Sequence, residues 1–420
     1  MMTKILFYLC TLSPWALAVT QIEENHPRFD KTPYVLLISI DGYRHDYNEL
    51  YRPPTLIKLA EEGVKAKSLI PVFPILTFPN HLSLITGRYP ARHGIVANRF
   101  YAPKLKKAYS YKNPKAVTSA SFYSGVPLWN LASMNQMVSA IYFWPGSEAP
   151  IGGHFPSHYM PYKGSTPHKD RIDKVIEWFK LPLRKRPHFV SLYFSDVDSA
   201  GHDFGPESKE VKKAVLKVDS SLKDLFGRLD KLGLELNIIV TSDHGMGPVD
   251  QTKKIFIDKS PKIKKLLKSF RIYGMGSGVF FYYKGKASKK SKAVKTLMQE
   301  LSKSTRFYKA YRSQNLPARF HAKGTLRMGD IIVMAEPPYF VGTRRFFGLP
   351  PKGIHGYETN RKEMHGIFMA RGPGLKKNLT VPGFESIHVY PLIAKLLGLS
   401  FSPQSIDGDF LKVKGLLADR

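Results

Sequence analysis

The strongest constraint on this chain is a repeated unit: a β-branched, apolar run halts at polar residues or glycine, and a helix-like stretch follows. Residues 34–40 lead into Asp41-Gly42, 137–144 into Pro145-Gly146, 189–194 into Ser195-Asp196, 236–241 into Ser242-Asp243, and 367–370 into Arg371-Gly372-Pro373. Helical patterning occupies 54–62, 80–86, 169–180, 208–232 and 389–397. Apolar strands alternating with helices need a mostly parallel central sheet with helices on both faces, so the expected class is α/β. Such sheets bind ligands beyond the carboxyl ends of their strands, where the polar residues just named fall.

At 420 residues the chain can bury a sizeable core, and 43% hydrophobic with 12% aromatic residues excludes a disordered chain. The expected organisation is a signal peptide over 1–18 and one domain over 19–420. That domain carries a Lys/Tyr/Ser-rich lid-like loop at about 100–124 and a small appended basic subdomain at about 255–335. Lys4, the mostly apolar run 5–16 and the small-x-small triplet Ala16-Leu17-Ala18 are the marks of secretion. They predict a secreted or periplasmic mature chain without a transmembrane span; a retained N-terminal anchor is the alternative. The one cysteine, Cys10, falls in this segment, so the mature fold rests on packing or bound metal rather than disulfides.

Lysine and arginine number 64 against 33 acidic residues, a net charge of +31, concentrated in 258–271 and 284–295. A surface this basic attracts nucleotides, nucleic acid, anionic lipid or polysaccharide. Polyanion contact through the basic helices stands beside the plainer reading of solvated helix faces. Oligomeric state is left open.

Four separated motifs bring carboxylates and histidines to predicted strand ends: Asp41-Gly-Tyr-Arg44, Asp198 with His202 four residues on, adjacent Asp243-His244, and His355-Gly-Tyr. Asp, His and a hydroxyl suit zinc or manganese, and several carboxylates can hold two cations close together. Two metals can clamp the attacking and leaving oxygens of a phosphoryl displacement. Thr77, in the run "FPILTFPNHLSLITG", is then either a plain helix cap or the attacking hydroxyl, favoured by a helix start that Pro79 suits. Taken singly, Asp-Gly reads as a turn and Asp-x-x-x-His as a surface pair; their joint occurrence points to a metal site.

These motifs, with "TGRYPARHGIVAN" (86–98) and "WPGS" (144–147), resemble the nucleotide pyrophosphatase/phosphodiesterase family of the alkaline phosphatase superfamily from about residue 33 to 400. The resemblance implies an alkaline-phosphatase-like fold and two zinc ions. Asp41, Thr77, Asp243 and His244 would ligate one, and Asp198, His202 and His355 the other. It also implies a covalent phospho-threonine on Thr77 that water then hydrolyses, and a phosphate contact from Asn98. Phe78 and Tyr162 match aromatics that sandwich a nucleobase; core or rim packing is their plainer role. The implied reaction is cleavage of nucleotide phosphodiester or diphosphate bonds to release a nucleoside monophosphate.

Related chemistries on the same site use choline phospholipids, phosphonoacetate or phosphate monoesters, the last needing extra cations such as Arg44. An inactive polyanion-binding protein is the alternative of another class. Two departures from the family pattern, Glu358-Thr359-Asn360 after His355-Gly-Tyr and Ser195-Asp196-Val197 before Asp198, touch no proposed ligand. His81, His93, His154, His158 and His365 are read as structural.

Overall fold

The computed structural model describes residues 21–304, 306–344 and 349–419; the expected signal peptide, with Lys4 and Cys10, lies outside them. The sheet that organises the molecule has eight strands. In chain order they are β1 (Tyr34–Ile40), β2 (Val64–Ala66), β3 (Ser139–Tyr142), β4 (His158–Met160), β5 (Phe189–Phe194), β6 (Leu236–Thr241), and, after four strands of a second sheet, β11 (Phe368–Arg371) and β12 (Leu379–Val381). Their spatial order is β12-β2-β11-β6-β1-β5-β3-β4. Strand β1 pairs in parallel with both β5 and β6, with Ser39 opposite Tyr193 on one side and Thr241 on the other. This register brings the carboxyl ends of all three strands, and the polar residues after them, to one edge. Only β11 runs against its neighbours, antiparallel to β6 and β2.

Every residue of β1 is buried, which a sheet covered on both faces requires. Val35 and Leu37 point into one core with Leu82, Leu84 and Ile393. Leu36 and Ile38 point into the other with Ile172, Val175, Val215 and Leu222. Those partners come from α2 (Thr77–Thr86) and α7 (Val389–Leu396) on one face, and from α3 (His168–Phe179) and α5 (Lys209–Asp230) on the other. Helix α1 (Pro54–Glu62) starts on a buried carboxylate, Asp219, which accepts from the amides of Thr55 and Leu56. Helix α4 (Asp196–Phe204), absent from the sequence reading, follows β5 directly. Three aspartates and a glycine in nine residues confine its apolar row to Val197, Ala200 and Phe204, too short to stand out in the sequence.

The second sheet is antiparallel, in the order β7 (Phe270–Tyr273), β8 (Gly278–Tyr283), β10 (Ile331–Ala335), β9 (Tyr308–Arg312). Strand β8 alternates cleanly. Val279 and Phe281 face a local core with Leu297 and Leu301 of α6 (Ala287–Leu301), whereas Phe280 and Tyr282 join the main core. Ion pairs fasten this sheet to the loop after His355: Glu358 meets Arg319 at 2.8 Å and Lys309 at 3.4 Å, and Glu336 meets Lys309 at 2.8 Å and Arg361 at 3.0 Å. The departure at Glu358 therefore has a structural use. Within 100–124, a hairpin of Arg99–Ala102 and Lys107–Ser110 buries Phe100 and Tyr109 in the main core. No helix among the described residues is long and apolar enough to cross a membrane.

Candidate active site

Three loops and two helix starts meet at the carboxyl edge of the main sheet. Asp41 follows β1, Asp243 and His244 follow β6, Asp198 and His202 lie one turn apart on α4, and His355 arrives on the loop from the second sheet. Gly42 makes the meeting of β1 and α4 sterically feasible. Its φ of +69° is left-handed, and a Cβ there would lie 2.7 Å from Asp198 Cα. At Gly356 (φ +102°) a side chain would overlap Ser277, so the loop bearing His355 closes on the second sheet only with glycine.

The three imidazoles are set alike. Nδ1 of His202 donates to Gly353 O (2.8 Å), that of His355 to Ile75 O (2.8 Å), and that of His244 to Gly245 O (3.0 Å). Each Nε2 lone pair then faces a carboxylate across a gap: His202 to Asp198 Oδ1 3.4 Å, His355 to the same oxygen 3.7 Å, and His244 to Asp41 Oδ1 3.5 Å and Asp243 Oδ2 3.0 Å. Fixing Nδ1–H by a carbonyl and freeing Nε2 is how proteins orient a histidine for metal.

The carboxylates complete the test of fit. Asp41 Oδ2 accepts from Tyr193 Oη at 2.5 Å and Asp243 Oδ1 from the Gly42 amide at 3.3 Å. The other oxygens, Asp41 Oδ1 and Asp243 Oδ2, are buried without a hydrogen-bond partner, and so is Asp198 Oδ1. Asp243 Oδ2 is 3.0 Å from His244 Nε2, but that nitrogen carries a lone pair in the tautomer its Nδ1 bond sets, so the contact is no hydrogen bond. Donor atoms each about 2 Å from one tetrahedral ion stand about 3.3 Å apart, the spacing seen here. Asp198, His202 and His355 form one group, and Asp41, Asp198 and His244 another that joins it, with donor atoms within 4.8 Å. The residues fit bound cations.

Electrostatics agrees. Burial, reinforced by the charges of Asp243 and Asp198, pushes the Asp41 carboxyl well above the usual carboxylate range. At Asp243 burial opposes ionisation too, but without a cation the protonated imidazoles of His244 and His81 outweigh it and hold the carboxyl low. Against burial, Asp243 in turn raises the pKa of His244, so a cation would take the place of a proton at His244 Nε2. Burial, then His244 and His202, press His355 toward the neutral form that ligation requires. A cation would relieve all of these conflicts at once.

Thr77 is the first residue of α2. Its hydroxyl does not cap the helix, because the N-cap position belongs to Leu76; it lies instead 3.5 Å from His244 Nε2. Asn98 Oδ1 accepts from the Phe78 amide at 3.0 Å, which fastens the "HGIVAN" loop to the same helix start. Its amide nitrogen makes no hydrogen bond to another described residue. Phe78 packs 5.8 Å from Tyr111 and 6.3 Å from Tyr109, centroid to centroid. Tyr162, 54% exposed, stands apart on the flank of Tyr193, with its ring 5.3 Å from Phe143 and 6.1 Å from Tyr193.

Three side chains carry more than their sequence positions suggest. Tyr193, inside an apolar strand, anchors Asp41. His81, read as structural, donates from Nδ1 to Thr77 O (2.9 Å), meets Ser39 Oγ through Nε2 (2.8 Å), and stands with Nδ1 3.3 Å from Asp243 Oδ2 without a hydrogen bond to it. Both its ring nitrogens are thereby engaged, so it positions a ligand rather than being one, although Asp41, His81 and Asp243 also lie at ligating distances. His93 accepts from the Ile95 amide at Nδ1 and, through Nε2, meets Pro79 O at 3.1 Å, tying the loop to α2. Arg44, named as a cation for a monoester phosphate, is committed elsewhere: it pairs with Asp46 at 2.6 Å and Glu207 at 3.0 Å. Asp196, the other departure from the family pattern, pairs with His168 at 2.8 Å and Lys217 at 2.6 Å.

A sequence-family profile described as type I phosphodiesterase / nucleotide pyrophosphatase matches residues 35–358. Human ectonucleotide pyrophosphatase/phosphodiesterase family member 1 is 34% identical over 401 residues, 91% of this chain and 42% of that protein. The venom phosphodiesterase of Naja atra is 33% identical over 393 residues, 90% of this chain and 45% of that one. The chain thus spans less than half the length of these curated relatives. Murine ectonucleotide pyrophosphatase/phosphodiesterase 5 superposes with a TM-score of 0.83 at 30% identity, covering 92% of this chain and 100% of that one. Another structure of that murine protein is an inactive threonine-to-alanine form in complex with AMP. With similarity of this extent running through the strand-end loops that build the cluster, the chain belongs to the type I phosphodiesterase / nucleotide pyrophosphatase family.

Proposed function

We propose that the chain is an exported two-zinc phosphodiesterase/pyrophosphatase that cleaves nucleotide phosphodiester or diphosphate bonds and releases a nucleoside monophosphate. One observation carries the reading: the Thr77 hydroxyl, free of any capping duty, sits 3.5 Å from His244 Nε2 beside three carboxylates with partnerless buried oxygens. Asp41, Asp243, His244 and Thr77 would hold one ion and Asp198, His202 and His355 the other. Bound there, zinc supplies Lewis acidity and positive charge for the phosphoryl oxygens.

The chain's own groups account for the rest. Thr77 Oγ1 bonds to phosphorus as the bond to the leaving oxygen breaks, and the hydroxyl proton is delivered, by way of solvent, to that leaving oxygen. Water then attacks the phospho-threonine, which breaks the Oγ1–P bond and restores the hydroxyl. The amino end of α2 favours the negative charge that gathers at Thr77, and the amide nitrogen of Asn98, whose oxygen is held by the Phe78 amide, would donate to a phosphoryl oxygen. Phe78 and Tyr162 offer aromatic faces for a nucleobase, a contact of about 1–3 kcal/mol. The AMP bound by the murine relative and the name of the venom relative support a nucleotide substrate. The signal-like residues 4–18 support export. Exposed Lys264, Lys265, Lys268, Lys289 and Lys292 support polyanion contact, which salt-dependent retention on a sulfated-polysaccharide column tests.

The deciding experiment is Thr77→Ala assayed on a chromogenic nucleotide phosphodiester. Turnover should fall by at least about 10³-fold while the zinc content and thermal unfolding of the variant match the parent. Undiminished turnover would remove Thr77 as nucleophile.

A further inference from the structure

Beside the catalytic cluster lies a second cavity, of about 350 Å³, which none of the roles above uses. Three chain segments that carry site residues form its near wall: Leu76 precedes Thr77, Asn98 takes part directly, and Gly356 follows His355. Its back is supplied by the second sheet, from Ile272, Phe280, Ile332 and Met334. Tyr111 and Met275, 41% and 49% exposed, flank the mouth. Arg99 and Lys112, both exposed, stand at the same rim. The cavity thus joins the phosphate-binding edge of one sheet to the apolar face of another.

We infer that this cavity is a subsite for an apolar ester arm of a phosphodiester, a short alkyl chain or single aryl ring, with Arg99 and Lys112 drawing in the phosphate that carries it. The inference rests on the phosphodiesterase reading above and adds the chemistry of the second ester group. Its volume lies at the lower end for ligand pockets. The back wall favours hydrocarbon over a second nucleobase, whose polar edges would lose water against Ile272, Phe280, Ile332 and Met334. Asn98 and Ser277 add polar side chains to the lining inside the charged rim. An alkyl or aryl group loses nothing there, and each methylene taken from water adds to affinity. The exposed rims also match the two ends of such an arm, since the cations face the anionic phosphate and the hydrocarbon is left to Tyr111 and Met275.

Titration calorimetry of the zinc-loaded full chain with methyl phosphate and with hexyl phosphate tests this without turnover. Hexyl phosphate should bind tighter by on the order of tenfold or more. Met275→Glu and Tyr111→Ser, both at exposed positions, should reduce that ratio toward one. Equal affinities, no binding of either phosphate, or a ratio unchanged in both variants would overturn the subsite. Nucleotide diester turnover in the same preparation separates the two readings. A retained hexyl preference without turnover sinks the phosphodiesterase and keeps the subsite; turnover without preference does the reverse.

Discussion

Asp41, Asp243 and His244 are almost closed off, at 2%, 1% and 0% exposure, whereas Asp198 and His202 keep part of their surface in solvent. The closed half offers two carboxylates and one imidazole, the open half one carboxylate and two imidazoles, and the surroundings differ as well. In the closed half side chains brace the ligands: Tyr193 on Asp41 and His81 on Asp243. The histidines of both halves rest on backbone carbonyls, Gly245 O in the closed half and Gly353 O and Ile75 O in the open one. His244 and His355 stack across the boundary at 3.6 Å, so the halves are one structure with two degrees of solvent access. Buried charge without a protein partner is expensive, and the fold tolerates it where a cation offsets it. The closed half therefore stores the larger electrostatic conflict, and the open half is the one that faces solvent.

The sharpest way to break this contrast is Asp41→Asn. In zinc-loaded protein turnover should fall by at least about 10³-fold. In metal-free protein the same change should raise unfolding stability by about 1–2 kcal/mol, because burial, Asp243 and Asp198 all oppose the charge at that position. Denaturant melts of both forms read the sign, and destabilisation of the metal-free variant would remove the stored conflict.

A smaller effect is expected when only the brace is cut. Tyr193→Phe should weaken retention of the closed-half ion by about 10–100-fold in chelator competition, leaving the open half unaffected. Equal weakening of both ions would show that bracing is not local. Next, a chelator should strip the two ions in separate phases, the open-half ion faster by about tenfold, because solvent reaches Asp198 and His202 first. A single phase would merge the halves.

The smallest effect concerns the loop that serves the closed half. Burial lowers the pKa of His93 to about 3, and its Nδ1 already accepts from the Ile95 amide. The unfolded chain protonates near pH 6.5, so below that pH it binds a proton that the folded chain refuses, and stability falls as pH drops. His93→Gln should reduce the loss between pH 7 and pH 5 by about 2 kcal/mol at most. Urea midpoints of metal-free protein at the two pH values check it.

Much of the site was legible because its residues end apolar runs. Asp41 and Asp243 terminate strands whose composition is unambiguous, and a charged group there needs a partner. The strand and helix alternation was legible for the same reason, since runs such as 34–40 and 208–232 leave little choice of element. Strands β2, β4 and β12, three residues each, carry no such signal. Their existence depends on neighbouring edges. Helix α4 hid behind its aspartates, so Asp198 and His202 were placed at a strand end when they lie on a helix. The expected helix start at residue 80 fell three residues after the observed one at Thr77, because the apolar periodicity of the helix becomes readable only after Pro79 in its first turn.

The sequence by itself determined the class of fold, the candidate ligand residues and the hydroxyl beside them, because local patterning and the chemistry of Asp, His and Thr are carried by each segment alone. Only the tertiary structure decided which oxygen of each carboxylate is free, which histidine nitrogen faces the cluster, and that Tyr193 and His81 stand against it. Those properties depend on strand register and on contacts between segments up to hundreds of residues apart, such as Ile75 with His355. A single segment cannot encode a distance to a partner it meets only after folding.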